Sequence, residues 1–433
     1  MRPAPRLLML CLGWAVLGIA ASFGVVLALA WQCAGVALAL LAVIDAWRLR
    51  RYAAPEVART MPDALPLGVE REVELRLDAG PRRQWVDIHD LHPVGWECEG
   101  LPLTLRLAPE TSSSFTYRLR PTTRGEFVFD GAQLRLYSPL GLWRQSRVAG
   151  APQRIRVYPN FAPLTRFALF SAEQASRLVG AHLKRRRGEG TDFHQMRDYR
   201  VGDSLRQIDW KATARASRLI SREYQDERNQ QLIMVIDTGR RMFARDGELT
   251  HFDHVLNAAL VVSYLALRQG DAVGFFATGG EQRWVAPQRG LGAIDILLRE
   301  SFDLQPRPVA TDYLAAATEL SMRQRRRGLV MLVTNLRDED IDDVLAAVNL
   351  LQKRHVVVVA SLREEALDAA LKQEVRHLPD ALRAGAAARY LEQRAATHAA
   401  LRSHQVMVMD VTCSELPAAL VERYLSIKRD GLL

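Results

Sequence analysis

The pattern of hydrophobic and polar positions changes twice along this chain. Leu7–Ile44 is a run of 38 residues without a charged side chain. Polar and apolar residues then alternate with a period of two from Glu56 to about Tyr158. From Gln231 onward, short continuous apolar runs alternate with segments of helical spacing. These patterns predict, in order, a membrane segment, a β-rich domain and an α/β domain.

The uncharged run is too long for a single membrane span. As one helix it would extend over roughly 57 Å, nearly twice the ~30 Å of a hydrocarbon core. We therefore predict a hairpin of two spans within residues 1–52, with its turn between Ala21 and Gln32. A cleavable signal peptide is disfavoured because the run is long and lacks a clear small-residue cleavage site. Basic residues flank both ends and predict that both face the cytosol: Arg2, Arg6, Arg48, Arg50 and Arg51. The bulk of the chain would then lie in the bacterial cytoplasm, anchored to the inner membrane.

Residues 53–160 are predicted to form an antiparallel β-sandwich. Segments such as Glu70–Leu77 and Phe115–Arg120 alternate polar and apolar residues, and turn sequences such as Gly80-Pro81 and Asp130-Gly131 separate the segments. Short alternating strands with regular turn signals are typical of sandwiches. No catalytic motif occurs in this segment, which suggests a spacer or a docking module.

Residues 231–433 are predicted to form a doubly wound α/β domain. The apolar runs Leu232–Ile236, Leu329–Val333 and Val356–Val359 are typical of buried parallel strands, and helical patterns lie between them. Ligands of such sheets bind at the carboxyl ends of the strands. Asp237 and Thr334-Asn335 follow two of the predicted strands and are therefore candidate site residues.

The connecting segment 161–230 contains a stretch of high charge density. Between His182 and Arg228 there are twelve lysines and arginines and eight aspartates and glutamates. This balance predicts a surface network of ion pairs rather than a nucleic-acid groove, which usually shows base with less interspersed acid. A helix is predicted from Asp209 through Ala216. Four spaced aromatics could stack on bases, but we interpret them as anchors into a core: Phe193, Tyr199, Trp210 and Tyr224.

Composition adds little to this picture. The formal net charge is +9, which anionic lipid facing the membrane-flanking arginines would accommodate. The four cysteines are scattered, and no CxxC motif or Cys/His cluster occurs along the sequence. A disulfide framework and a zinc site are therefore not expected, and a reducing compartment fits.

The order of these segments and the residues of the charged stretch resemble the bacterial membrane proteins called domain of unknown function 58, which are related to von Willebrand factor A domains. Arg124-Gly125 and Ser138–Trp143 also match the family's pattern. The most specific matches are Arg187, Gly188, Gly190, Asp192, Arg197, Tyr199, Gly202, Asp203, Arg206, Asp209, Trp210, Arg215 and Glu223. The resemblance implies an A-like fold, a membrane anchor and partnership with a MoxR-type AAA+ ATPase and other membrane proteins of the same cluster.

The resemblance also implies a position for a metal-ion-dependent adhesion site, which holds Mg²⁺ through oxygen ligands. Asp237 matches its first aspartate and Thr311 its loop threonine. The two serine positions are Gly239 and Arg241, and Asn335 stands where the last aspartate would be. A guanidinium repels a dication, so we expect a degenerate site without a resident cofactor. Asp237 is expected instead to cap the next helix or to pair with a neighbouring arginine.

We therefore expect a membrane-anchored adaptor that binds proteins, and not an enzyme. Two alternatives remain. The first is a nucleic-acid-binding module that uses the basic stretch. The second is a hydrolase that combines Asp237 with His251 or His254, although no nucleophile elbow, HExxH or phosphate-loop motif occurs.

Overall fold

A computed structural model shows a mixed α/β protein with several sheets. It describes residues 1–22, 25–161, 192–200, 208–225 and 230–432. The chain divides into two compact units, Met1–Tyr158 and Pro159–Leu433. The predicted membrane segment therefore belongs to the same unit as the β-rich segment, and the predicted connecting segment belongs to the second unit.

The first unit contains two helices and twelve strands among its described residues. The helices are α1 (Pro5–Ala21) and α2 (Val25–Arg50). The strands are β1 (Arg2–Pro3), β2 (Glu56–Thr60), β3 (Ala64–Pro66), β4 (Arg71–Asp78), β5 (Gln84–Asp90), β6 (Glu97–Glu99), β7 (Leu103–Leu107), β8 (Ser112–Arg120), β9 (Gly125–Phe129), β10 (Ala132–Tyr137), β11 (Trp143–Ala149) and β12 (Gln153–Tyr158).

One of these helices is long and apolar enough to cross a membrane. It spans Ala28–Arg50 within α2, with a mean hydropathy of 1.8, while the apolar part of α1, Pro5–Ile19, is shorter. The two helices contact each other through Trp14 and Trp31, whose rings stack with centroids 4.8 Å apart. Each indole N–H also donates to the backbone carbonyl of the other tryptophan, at 3.1 Å in both directions. The first helix ends at Ala21 and the second begins at Val25.

The outer ends of α1 and α2 both bind the loop between β10 and β11. The fully buried carboxylate of Asp45 accepts the backbone N–H groups of Leu140 and Leu142, at 3.0 and 3.3 Å. Trp143 Nε1 donates to the carbonyl of Ala42, and Ala4 N donates to the carbonyl of Leu142, at 2.9 and 2.8 Å. The Ser138–Trp143 segment, one of the motifs found in the sequence, thus forms hydrogen bonds with both helix ends.

The strands of the first unit form three sheets, ordered β1-β11-β10-β5-β7, β2-β4-β8-β6 and β3-β12-β9. The pairings are antiparallel as predicted, except that β3 pairs with β12 in parallel. The period-two pattern corresponds to burial, since Val73, Leu75 and Leu77 of β4 are fully buried while their neighbours are exposed. Strands β2, β5 and β11 were not predicted, because their sequences mix charged and apolar residues with weaker alternation, and the two- and three-residue strands β1, β3 and β6 were not predicted either.

An ion pair lies inside this unit. Arg59 of β2 binds the carboxylate of Asp90 of β5 with two guanidinium nitrogens, one of them Nε at 2.9 Å. Tyr117 of β8 donates its hydroxyl to the same carboxylate. Asp90 is fully buried, so a cation and a hydroxyl together replace the water that the carboxylate loses on folding.

The second unit contains eight α-helices and ten strands among its described residues. The helices are α3 (Trp210–Ala216), α4 (His251–Arg268), α5 (Ala293–Ser301), α6 (Tyr313–Arg323), α7 (Ile341–Gln352), α8 (Glu365–Lys372), α9 (Leu378–Ser403) and α10 (Leu416–Arg429). The strands are β13 (Asp192–Asp198), β14 (Ile220–Gln225), β15 (Gln231–Asp237), β16 (Arg245–Asp246), β17 (Leu249–Thr250), β18 (Ala272–Thr278), β19 (Arg283–Gln288), β20 (Leu329–Thr334), β21 (Val356–Arg363) and β22 (Met407–Thr412). Short 3₁₀ helices span Arg240–Phe243 and Asp338–Asp340.

A six-stranded sheet organises this unit in the order β19-β18-β15-β20-β21-β22. All neighbours are parallel except the edge strand β19, which pairs antiparallel with β18. Apolar clusters cover both faces, as expected for a doubly wound sheet. The strand order reverses between β15 and β20, so the carboxyl ends of these strands meet at a topological switch point.

Candidate functional site

Asp237, the last residue of β15, lies at this switch point with 1% of its surface exposed. Its Oδ1 accepts the backbone N–H of Gly239 at 2.7 Å and the hydroxyl of Thr311 at 2.5 Å. Its Oδ2 accepts the hydroxyl of Thr334 at 2.6 Å, and the hydroxyl of Tyr313 lies 3.2 Å away. The carboxylate is thus surrounded by four neutral donors.

Two of these donors, Tyr313 and Thr334, were not predicted as partners of Asp237. Tyr313 begins α6, and its hydroxyl also lies 2.9 Å from Thr334 Oγ1. Burial, followed by the charge of Asp237, raises the pKa of Tyr313, so its hydroxyl keeps its proton and donates. Thr334 was noted in the sequence only as a strand end. No sequence signal marks Tyr313, because its distance from Asp237 is set by the loop between α5 and α6.

Two glycines close the space around this carboxylate. A Cβ atom at Gly239 would lie 2.4 Å from Thr311 Oγ1 and 3.0 Å from Asp237 Oδ1. A Cβ atom at Gly279, whose φ is +102°, would meet the same two atoms at the same distances. The glycine at the first serine position of the predicted adhesion site is therefore required by packing against Thr311.

The side chains at the other positions of the predicted adhesion site bind other partners. Asn335 donates to Glu364 Oε1 at 2.9 Å and accepts from the guanidinium of Arg394 at 3.3 Å. The sequence suggested that Arg241 pairs with Asp237. In the structure Arg241 instead binds Glu339 and Asp340. Arg240 likewise pairs with Glu339, at 3.5 Å. Because hydroxyl and amide donors occupy the Asp237 carboxylate and Asn335 faces away, these side chains do not fit a Mg²⁺ site.

A cleft of about 520 Å³ opens at the same edge of the sheet. Four of its lining residues are arginines and two are acidic; the lining comprises Arg240, Arg241, Leu336, Arg337, Asp338, Glu339, Tyr390, Gln393 and Arg394. The guanidinium of Arg337 lies 4.8 Å above the ring of Tyr390. The side chain of Arg240 is 58% exposed, and its ion pair with Glu339 is long. None of the described residues that line the cleft is a serine, cysteine or histidine.

The floor of this cleft is fixed by Arg394 of α9, which is 3% exposed. It donates to Asp410 Oδ1 at 2.9 Å and to Ser361 Oγ at 2.6 Å. It also donates to the backbone carbonyls of Leu336 and Leu362, at 3.0 and 2.5 Å. One arginine therefore ties α9 to the carboxyl ends of β20, β21 and β22, a role that the alanine-rich sequence of α9 did not indicate.

The charged motif residues divide into those that the structure describes and those that lie outside the described residues. Arg187, Gly188, Gly190, Gly202, Asp203 and Arg206 lie outside them. Asp192 and Glu223 are placed in β13 and β14, which pair antiparallel. The others lie in β13, in the connection that follows it, and in α3: Arg197, Tyr199, Asp209, Trp210 and Arg215.

The predicted helix from Asp209 through Ala216 is confirmed. Asp209 is its N-cap and accepts the N–H of Ala212 at 3.0 Å. The interpretation of Trp210 as a core anchor is wrong, because 67% of its surface is exposed. Its position at the start of a short capped helix directs the indole outward. Arg218 pairs with Asp198 at 3.1 Å, which is one of the ion pairs expected on this surface.

The second unit is thus a doubly wound α/β domain whose switch point combines a neutral-donor carboxylate site with an arginine-lined cleft. Residues 195–405 match the sequence model of the family described as "Protein of unknown function DUF58". The match covers a little under half of the chain and confirms, over these residues, the family resemblance found in the sequence.

Two relatives of known sequence are both named as uncharacterized proteins. The chain is 25% identical over 187 residues to the uncharacterized protein YeaD of Bacillus subtilis, covering 41% of this chain and 42% of YeaD. It is 26% identical over 161 residues to the uncharacterized protein Rv1480 of Mycobacterium tuberculosis, covering 36% of this chain and 51% of that protein. The chain therefore covers about half or less of these relatives.

Solved structures resemble only parts of the chain. An aerotolerance-related membrane protein from Bacteroides fragilis matches with a TM-score of 0.24 and 15% identity, covering 30% of this chain and 67% of that one. A non-cellulosomal cohesin from Archaeoglobus fulgidus matches with a TM-score of 0.18 and 17% identity, covering 24% and 91%. These scores are too low to support an argument about fold or function.

Proposed function

We propose that this protein is a membrane-anchored adaptor whose von Willebrand factor A-like domain binds a protein partner through the arginine-lined cleft. The partner class suggested by the sequence resemblance is a MoxR-type AAA+ ATPase, working with other membrane proteins in complex assembly or in a cell-envelope process. The observation that supports this proposal is the position of the cleft, because doubly wound domains bind their ligands at the switch point.

The charge of the cleft indicates what kind of group a partner would insert. Adhesion sites of A domains bind a partner's carboxylate through Mg²⁺. Here Asp237 is occupied by neutral donors, and the positive charge at the same edge comes from Arg240, Arg241 and Arg337. Guanidinium groups bind carboxylates in bidentate geometry, so an acidic side chain of the partner fits this cleft.

A direct binding measurement tests the proposal. The full-length protein in detergent is titrated with the purified MoxR-type ATPase of the same organism, in the wild type and in the variant Arg240→Glu. We expect at least a tenfold loss of affinity, because Arg240 is exposed and its reversal places two acids at the mouth of the cleft. Arg376→Glu is the matched control, since Arg376 is also exposed and also pairs with a glutamate but lies away from the cleft. Its affinity should change less than twofold.

Equal losses in both variants would reduce the interaction to general electrostatic attraction and contradict the proposed cleft. Unchanged affinity in Arg240→Glu would contradict it as well. The nucleic-acid alternative predicts a different result, namely binding of DNA or RNA that weakens steeply as salt rises. Adaptor binding should instead persist at moderate salt and require the α/β domain.

The anchor is proposed to be the two-span hairpin, with both of its ends in the cytosol. The outer ends of α1 and α2 bind the same Ser138–Trp143 loop, which supports placing both ends on the side of the β-sheets. The mutual pairing of Trp14 and Trp31 supports two apolar helices that run side by side through the bilayer.

Labelling of intact spheroplasts with a membrane-impermeant maleimide tests this topology. A cysteine introduced by Ser22→Cys, between the helices, should react from outside. The wild type, with its own four cysteines, is the control and should remain unlabelled. Labelling of the wild type to the same extent, or no labelling of Ser22→Cys before lysis together with labelling after it, would contradict the hairpin.

A further inference from the structure

A second cluster of polar side chains lies at the carboxyl edge of the sheet, outside the cleft. Asp246 of β16, His251 at the start of α4 and Cys413 directly after β22 bring their ligand atoms within 4.8 Å of one another. Asp246 Oδ2 and His251 Nε2 are 3.2 Å apart. We propose that these three side chains form a binding site for a thiophilic divalent cation, with Zn²⁺ as the best match.

The donor set selects the class of metal. A carboxylate oxygen, an imidazole nitrogen and a sulfur together suit Zn²⁺, whereas Mg²⁺ requires oxygen ligands. Tetrahedral Zn²⁺ with ligand distances near 2.1 Å separates its ligand atoms by roughly 3.4 Å. The 3.2 Å between Asp246 and His251 is close to this value, and the sulfur of Cys413 lies within 4.8 Å of both. Small side-chain movements would therefore complete the site.

The carboxylate of Asp246 is buried and accepts the backbone N–H of Glu365 at 3.3 Å. The side chain of Asp246 is 6% exposed, and its ion-pair partner is His251. Among the described residues, no lysine or arginine forms an ion pair with Asp246. A bound dication would compensate this buried carboxylate.

Two buried polar atoms at this edge of the sheet lack a hydrogen-bond partner. Nδ1 of the fully buried His251 and Oε2 of Glu364 are both buried and find no hydrogen-bond partner within the described parts of the chain. Oε1 of Glu364 accepts hydrogen bonds from Asn335 and Arg337, at 2.9 and 3.3 Å.

The thiol of Cys413 is protonated without metal. Burial, together with a hydrogen bond to Asp246, raises its pKa, which excludes a free reactive thiolate. Metal binding would replace the thiol proton, forming the metal–sulfur bond and releasing one proton to solvent. The imidazole proton would move to Nδ1 when Nε2 binds the metal. This site is separate from the proposed adaptor cleft, and its test does not depend on a partner.

Cobalt titration of the chelator-treated full-length protein in detergent tests the site. Co²⁺ should bind with one equivalent per chain and give a thiolate-to-cobalt charge-transfer band, together with the strong visible absorption of tetrahedral cobalt. Zn²⁺ should displace it and remove both signals. Cys413→Ser, which preserves the shape of the side chain, should abolish the charge-transfer band, and His251→Ala should weaken binding at least tenfold.

Cys98→Ser and His254→Ala are the controls. Cys98 is a partly buried cysteine of the first unit, and His254 contacts the backbone carbonyl of Asp246 rather than its carboxylate. Both variants should bind cobalt as the wild type does. Circular dichroism of each variant checks that it is folded, and Cys413→Ala replaces any serine variant that is not. Absence of a charge-transfer band in the wild type, or its persistence in folded Cys413 variants, would overturn the proposal.

Discussion

Two buried aspartates, one in each unit, are stabilised by different kinds of partner. Asp90 of the first unit is neutralised by the guanidinium of Arg59 and accepts the hydroxyl of Tyr117. Asp237 of the second unit also lies near a tyrosine hydroxyl, that of Tyr313, but its other partners are two threonine hydroxyls and a backbone N–H. A cation compensates the first carboxylate, and neutral dipoles surround the second.

The difference separates a structural site from a candidate functional one. In the first unit the charges of Arg59 and Asp90 are buried and paired with each other, so neither is accessible to a ligand. Around Asp237 the donors are neutral, and the nearby arginines pair with acidic residues at the protein surface, where Arg240 remains 58% exposed. The ion pairs at the switch point therefore lie at the surface, and the guanidinium of Arg240 remains accessible there.

The largest effect is expected from Arg59→Leu. Removing the guanidinium leaves Asp90 buried without its cation and should lower the free energy of unfolding by about 3–5 kcal/mol, measured by urea titration. Arg76→Leu is the control, because Arg76 and Asp78 form an exposed pair that solvent screens. If both substitutions cost the same, the contrast between a buried and an exposed pair fails.

Asp237→Asn should cost less, about 1–3 kcal/mol. The amide keeps one acceptor oxygen, and no cation is left unpaired, although its nitrogen then faces hydroxyl donors. Alanine leaves all four donors without an acceptor. Asp237→Ala should therefore lower the free energy of unfolding by more than Asp237→Asn does in the same urea titration. A cost for asparagine equal to that of Arg59→Leu would show that the neutral-donor site is as dependent on charge as the ion pair.

Gly239→Ser, which supplies the first serine of an adhesion site, should destabilise the second unit by about 1–3 kcal/mol through overpacking against Thr311. It should not create Mg²⁺ binding in a calorimetric titration. Gly292→Ser is the control, since no described atom lies within 4 Å of its added Cβ and it stands at the N-cap of α5. A Gly239→Ser variant that is stable and binds Mg²⁺ would reverse our interpretation of this site.

The smallest effect concerns Tyr117, which contacts Asp90, and Tyr313, which contacts Asp237. Burial and the adjacent aspartate raise the pKa of both Tyr117 and Tyr313 above the ordinary value near 10. Each folded hydroxyl therefore stays protonated while the unfolded one ionises. The stabilisation is complete below pH 10 and decreases above it, by about 1.4 kcal/mol per pH unit for each tyrosine.

Unfolding measured between about pH 9 and 11, on either side of the ordinary tyrosine pKa, should show this slope. Tyr117→Phe and Tyr313→Phe should each remove one share of it. Tyr424 is a third contributor, because Asp271 raises its pKa in the same way after burial. An unchanged slope in both of the first two variants would separate the tyrosines from their aspartates.

Periodicity determined most of the secondary structure. Runs such as Leu232–Ile236 and Leu329–Val333 became adjacent parallel strands, and the alternation around Leu75 became a half-buried strand. These elements were predictable because burial on one or both faces of a strand determines the spacing of apolar residues along the sequence. The same reasoning located Asp237 and Thr334 at strand ends, and it suggested that the chain reverses between Ala21 and Gln32.

What only the tertiary structure decided are the contacts between distant parts of the chain. Asp237 meets Thr311 and Tyr313, Arg241 binds acidic residues instead of Asp237, and Cys413 joins Asp246 and His251 although more than a hundred residues separate them. The sequence showed no Cys/His cluster because ligand spacing along the chain says nothing about atoms that separate strands bring to one edge. Strand order and loop paths set these distances, and they result from packing of the whole sheet rather than from any local pattern.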